Sequence, residues 1–330
     1  MDAYTLIFWA IAPPFLALAY YCCQVRQVPV PQLLLGFLLG SLTGLMALGL
    51  EWAFEFLAQS LLPWQQITRS LLGAGLRQLV EIGPIEEGCK LVGVFLLVVG
   101  LRQWQPRSPS TSTVLLYTIA VALGFTAEEN LLYLFNGVAS TFDRTIGVAV
   151  HAWFAAPWGY ALGRTLNRSK HSLAPFFKQG WGDLFPAWLN AIACHALVNT
   201  FSIAWRYDPP IQLLSYGLFP FFLWMGWRLN SLLKRSQDQS PPTLISGNTP
   251  QECYWQRGLI LFVLMLGGNA IFGWFLLGRS LGTVSWAQLV ATSDLLRFTL
   301  SRFALNLIPA AIAWFIYRYL RRKGDRKNSI

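Results

Sequence analysis

Charge is what this sequence has least of. Only 12% of its 330 residues are Asp, Glu, Lys or Arg, against about 25% in an ordinary soluble domain. With a hydrophobic content of 55%, that deficit excludes a water-soluble globular protein and sets the fold class as all-α, a polytopic transmembrane helical bundle. Cysteine is sparse too. Cys22, Cys23, Cys89, Cys194 and Cys253 are odd in number and lack CxxC-type spacing, which excludes a disulfide framework and a zinc knuckle. There is no internal repeat and no low-complexity tract. The N-terminus lacks the basic n-region of a secretory signal and carries Asp2 instead, so a retained first helix is expected despite Ala-Leu-Ala at 17–19. The net charge of +10 would ordinarily raise nucleic acid as a partner. Here the excess lies in short loops and the tail, so the partner it implies is the lipid bilayer and not nucleic acid.

What is there is a succession of apolar runs. At about 20 residues per crossing, nine spans are expected, near 4–23, 32–60, 83–101, 113–136, 146–163, 181–205, 209–227, 258–278 and 303–319. Glu51 and Glu55 fall near the end of the second, and 61–80 is amphipathic and interfacial. The chain then divides into N-terminal helices and an interfacial segment (1–80), a core (81–230), a polar cytoplasmic linker (231–257) and a two-helix segment with a basic tail (258–330). Lys and Arg orient the bundle. With the C-terminus inside and the N-terminus outside, the inner segments take most of them, including the clusters at 164–178, 228–257 and 318–327.

Against this background a few polar residues stand out. The stretch "EIGPIEEGCKLVGVFLLVVG" places Glu86, Glu87 and Lys90 in the first turns of an apolar run. "GFTAEENLLYLF" brings Phe125, Glu128, Glu129 and Asn130, "HAWFAAPWGYALG" begins at His151, and "WLNAIACHALVNTF" holds His195 and Asn199. By the expected topology all of these lie in the outer part of four successive spans. Residues four apart share a helix face, so Glu86 can pair with Lys90, and Phe125, Glu129 and Tyr133 form a stripe. His151 continues through Ala155, Gly159 and Gly163, and Ala187 and Ala191 lead to His195 and Asn199. Small residues at that interval mark helix–helix contact, which turns both histidines into the bundle.

A charge near the bilayer centre costs about 2.5–3.5 kcal/mol, so such groups pair, line a wet cavity or do chemistry. Carboxylates facing imidazoles suit general acid–base catalysis, an Asn or His can stabilise an oxyanion, and the same groups could hold zinc. Bland readings exist for each alone: an intrahelical ion pair for Glu86 and Lys90, packing histidines, a solvated Glu128, Asn130 as a helix terminator, and His171 as surface. Trp153 and Trp158 could shape a groove, and Cys89 and Cys194 take no role.

Taken together, the ordered motifs EExxK, FxxxEN, the His151 helix and HxxxN resemble the PrsW family of intramembrane proteases, within the wider group of CAAX prenyl endopeptidases and bacteriocin-processing membrane enzymes. The motifs span Glu86 to Asn199. The resemblance implies that Glu86 activates the attacking water with Glu87 beside it, and that Lys90 holds the carboxylates, with Phe125 and Asn130 in support. Glu129 and His151 would complete the acid–base set, while His195 and Asn199 would stabilise the oxyanion. Where the family usually closes with HxxxD, this chain has Asn199, as CAAX-type relatives do. No cofactor is required on the metal-free glutamate route, which we prefer here; if zinc is used, its candidate ligands are His151, His195, Glu86 and Glu129. The resemblance further implies a bacterial cell membrane, a membrane-anchored protein or peptide substrate, and regulated cleavage of a signalling protein such as an anti-sigma factor. A proton-coupled transporter would want similar buried groups but also repeats and midplane charges, and a non-catalytic scaffold or chaperone would tolerate their loss.

Overall fold

The computed structural model describes residues 2–25, 28–102, 109–168, 181–241, 243–282 and 284–328; His171 lies outside them. Among the described residues every regular element is helical. In chain order these are α1 (Ala3–Cys22), α2 (Val30–Leu61), α3 (Trp64–Ile67), α4 (Leu71–Arg77), a π-helical turn (Gln78–Ile82), α5 (Gly83–Arg102) and α6 (Thr111–Phe135). There follow α7 (Thr141–Ile146), α8 (Val150–Arg168), α9 (Trp181–Ala204), a 3-10 turn (Ile211–Gly217), α10 (Leu218–Ser236), α11 (Pro250–Leu281), α12 (Trp286–Ala291) and α13 (Ser293–Asn328). Six of them, α1, α2, α6, α9, α11 and α13, are long and apolar enough to cross a membrane. The other three expected spans are helices as well, but polar residues in α5, α8 and α10 leave them short of that apolarity. The helix expected from 209 begins only at Leu218, after the Pro209–Pro210 pair, which has no backbone N–H to give, and the 3-10 turn. α10 and α11 reach into the polar stretch from both sides, leaving 237–249 as the connection.

The chain forms two compact units, Met1–Thr200 with Arg228–Gln239 and Phe201–Trp227 with Ser240–Ile330. The first is built around α6. Every residue from Val114 to Glu128 is buried, as expected of a helix apolar all round. α2 lies along it at backbone contact: a Cβ on Gly40 would run into the Val121 carbonyl, and one on Gly124 into that of Phe37. Ser41 Oγ closes the contact, donating to Gly124 O at 2.9 Å. α8 packs on another side through the small-residue stripe expected from the sequence, Gly159 against Thr118 and Gly163 against Thr111.

α5 completes the unit in a steady antiparallel register with α2. Thr43 meets Gly93, Ala47 packs with Cys89, and Arg77 ties Glu55 to Glu81. Each step of four along α2 is matched by four back along the partner, so the ends of these helices stay in phase. The second unit is held by aromatic packing of its own, with Phe272 against Tyr216, Phe219 and Phe275.

The backbone contact of α2 with α6 generates a test. Gly40→Leu overpacks it, a class of change that costs about 1–3 kcal/mol, and should lower the thermal midpoint in detergent by several degrees. Gly49→Leu should leave it unchanged, because a Cβ there meets nothing within 4 Å. Equal shifts in the two variants would show that close approach at Gly40 is not what holds the helices.

Candidate active site

The site begins with an irregularity. Pro84 cannot donate to Val80 and its ring crowds that carbonyl. The chain widens just before it: Gly83 N–H donates to Gln78 O, five residues back. Such π-turns recur at functional sites. Gly83 is needed here, since a Cβ would sit 2.7 Å from Gln78 O and 3.1 Å from Ile192 Cγ2. Beyond the turn, α5 delivers Glu86, Glu87 and Lys90 to the interior.

Lys90 is fully buried. Its Nζ donates to Glu86 Oε2 at 3.0 Å and Glu87 Oε1 at 2.8 Å, and lies 2.9 Å from His151 Nδ1. The Phe125 ring closes the remaining side, with Nζ 4.0 Å from its centroid. The i,i+4 pair expected from the sequence is therefore present, enlarged by an i,i+3 partner and an imidazole from α8. Glu87 Oε2 accepts from Trp158 Nε1 at 3.0 Å, so both its oxygens are engaged.

His151 is gripped from both edges. Its Nε2 lies 3.0 Å from Glu129 Oε2 on α6, and that same oxygen accepts from Arg144 Nη2 of α7 at 2.6 Å. An ammonium can only donate and a carboxylate only accept, so Nδ1 presents its lone pair toward Lys90 and Nε2 carries the hydrogen. His195 comes from α9 and stacks on Phe154, with centroids 4.7 Å apart and planes 20° apart. Its Nε2 is 3.9 Å from Glu86 Oε1 and its Nδ1 3.5 Å from Glu87 Oε1. The buried Nδ1 makes no hydrogen bond; the 3.5 Å approach is too long to count as one.

Thus Glu86, Glu87, Lys90, Phe125, Glu129, His151 and His195 come together. Asn199 and Asn130 turn elsewhere. Asn199 Nδ2 donates to Gln78 Oε1 at 2.7 Å, and Asn130, inside α6 and not at its end, accepts from Arg144 Nε at 2.5 Å and donates to Ala10 O at 3.3 Å. Glu128, expected at a solvated surface, is buried against Gly44 with Oε1 unpaired. Trp158 is buried behind Glu87, and Trp153 donates to Tyr21 Oη at 3.0 Å.

Sequence reading missed Arg144 and Gln78. It also missed Glu81, which is fully buried and accepts from Trp64 Nε1 at 3.2 Å and from Arg77. A Glu four residues after an Arg was the one signal available for the last pair.

Chemically, three carboxyl groups, an ammonium, a guanidinium and two imidazoles meet in this cluster. Glu86, His151 and His195 each bring a ligand atom within 4.8 Å of the other two. The arrangement can move a proton to or from water, and can hold a cation.

Residues 28–225 match the family model of the PrsW family intramembrane metalloprotease. No curated protein and no solved structure matches the chain. The matched stretch takes in more than half of the chain and every helix of the cluster, from α2 into α10. On that ground the chain belongs to the PrsW family, and is a multi-pass integral membrane protein of the intramembrane protease class.

Proposed function

We propose that this protein hydrolyses a peptide bond of a membrane-tethered protein by direct attack of water, with Glu86 as the general base. The observation that carries this reading is the convergence of α5, α6, α8 and α9 on one buried point, where Glu86, His151 and His195 meet. Glu86 is chosen over Glu87 by hydrogen bonding. Both Glu87 oxygens are taken, by Lys90 and Trp158, whereas Lys90 engages only Oε2 of Glu86 and leaves Oε1 facing His195. Glu86 then takes the proton of the attacking water and returns it to the leaving amine, without a covalent enzyme intermediate. Lys90 keeps Glu86 oriented throughout. With Asn199 committed to Gln78, its contribution is to hold α9 and the π-turn together, and His195 is left to stabilise the developing oxyanion.

The family description speaks of a metal, where the sequence reading preferred none. The residues fit one. Two imidazoles and a carboxylate are a zinc donor set, their ligand atoms lie within 4.8 Å of one another, and Glu86 Oε1, which Lys90 leaves free, faces His195 Nε2 at 3.9 Å. Glu86, His151 and His195 would hold zinc, a His2Glu set of the kind found in catalytic sites. When bound, the ion would supply Lewis-acid polarisation of the scissile carbonyl and more acidic water.

The outward Lys/Arg deficit supports a site near the outer face, with the N-terminus out and the C-terminus in. The family's association with regulated proteolysis supports a signalling substrate such as an anti-sigma factor. A C-terminal reporter that is active outside the cell would reverse the orientation.

Glu86→Gln and His195→Ala should each reduce cleavage of a tagged membrane substrate in cells by at least about 100-fold, as expected for loss of a general base or an electrostatic stabiliser. If processing survives both changes, the catalytic reading is wrong. Near-stoichiometric zinc in purified protein, with peptidase activity abolished by chelation, would make Glu86 a ligand and not the base. Activity that persists in metal-free protein would instead leave Glu86 as the base of a glutamate-type hydrolase.

A further inference from the structure

We propose that Arg144, on the short helix between α6 and α8, is a positioning residue that fixes which nitrogen of His151 faces the centre, acting through Glu129. The inference rests on the metal reading above. Arg144 is the only group besides His151 that hydrogen-bonds the Glu129 carboxylate among the described residues, and both converge on Oε2. The guanidinium is itself tightly set. Nε donates to Asn130 Oδ1 at 2.5 Å, Nη2 to Glu129 Oε2 at 2.6 Å, and its carbon lies 4.6 Å from the centroid of the Tyr133 ring. Asn130 is anchored in turn on the Ala10 carbonyl. The backbone beneath is held by the Ser140 cap, whose side chain accepts from Asp143 N and whose carbonyl accepts from Arg144 N at 3.1 Å.

This arrangement leaves Glu129 one orientation. Guanidinium nitrogens only donate, so Arg144 holds the carboxylate as an acceptor aimed at His151. Nε2 must then carry the hydrogen, and the Nδ1 lone pair is turned toward Lys90 and Glu86, at 2.9 Å from Nζ and 3.6 Å from Oε2. A carboxylate that donates nothing and fixes the far nitrogen of a ligating imidazole is the usual outer partner of a metal-bound histidine. Arg144 stands one bond further out. With Gln in its place, Glu129 loses the Nη2 donor that aims it, and His151 is free to rotate or to present the other tautomer.

The test is a metal titration of the full-length protein in detergent, using cobalt with its visible spectrum and zinc against a competing chelator. Glu129→Gln should weaken binding about 10- to 100-fold, the usual cost of removing such an outer partner, and Arg144→Gln should weaken it about 10-fold. Arg144→Lys should recover part of the loss, because it restores the charge but not the simultaneous hold on Asn130 and Glu129. The double variant Glu129→Gln/Arg144→Gln should bind no more weakly than Glu129→Gln alone, since both changes remove one device. Additive losses, or an Arg144→Gln protein that binds as tightly as wild type with an unaltered cobalt spectrum, would overturn the role of Arg144 and leave the metal reading standing. Wild-type protein that takes up neither cobalt nor zinc would overturn the metal reading, and this proposal with it.

Discussion

The structure depends on keeping one ammonium content without water. Lys90 is fully buried, and its hydrogens are taken by Glu86, Glu87 and His151 while Phe125 covers the remaining side. Breaking a buried pair by removing one partner typically costs about 3–5 kcal/mol, because the other charge is left stranded. Both ion pairs lie within α5, and the same ammonium ties that helix to α8 through His151 and to α6 through the Phe125 ring. Glu87 extends the constraint to Trp158, and Glu129 extends it to Arg144 and α7. The network is therefore satisfied at nearly every member, which is the condition under which buried polar groups specify a unique arrangement.

A polar core of this kind needs a rigid frame around it. The backbone contact of α2 with α6 and the small-residue face of α8 supply it. Helices that touch at glycine have little room to slide, and the shared register of α2 with α5 brings the Glu55–Arg77–Glu81 group to the same end as Glu86 and Glu87. Packing places the helices; the ion network then fixes the side chains within them.

What could be read from the chain follows from range. The Glu86–Lys90 pair, the Phe125–Glu129 face and the Gly159–Gly163 face are all matters of helical spacing, and each is where the spacing put it. The convergence of four helices was legible because a buried charge in an apolar run has few other uses. Arg144 was not, because it reaches Glu129 from a loop helix and nothing local marks that approach. The partner of Asn199 depends on where the π-turn swings Gln78, and the burial of Glu128 depends on Gly44, 84 positions away in the sequence of residues 44–128. Of the nine expected spans six are apolar enough to cross a membrane by composition, and α5 falls short because it carries Glu86, Glu87 and Lys90.

The widened turn at Gln78–Ile82 has an effect on phase. One extra residue in a helix rotates everything after it by about 100° relative to what came before. Arg77, just ahead of the turn, and Glu81, within it, face α2 and α3, where they form a closed structural group with Glu55 and Trp64. Glu86 and Glu87, after it, turn toward His151 and Trp158 of α8 and His195 of α9. A continuous ribbon of acidic side chains is in this way sorted into two populations, one spent on holding the fold and one left for chemistry. Losing a single residue from that turn would mix the two, although every carboxylate would still be present.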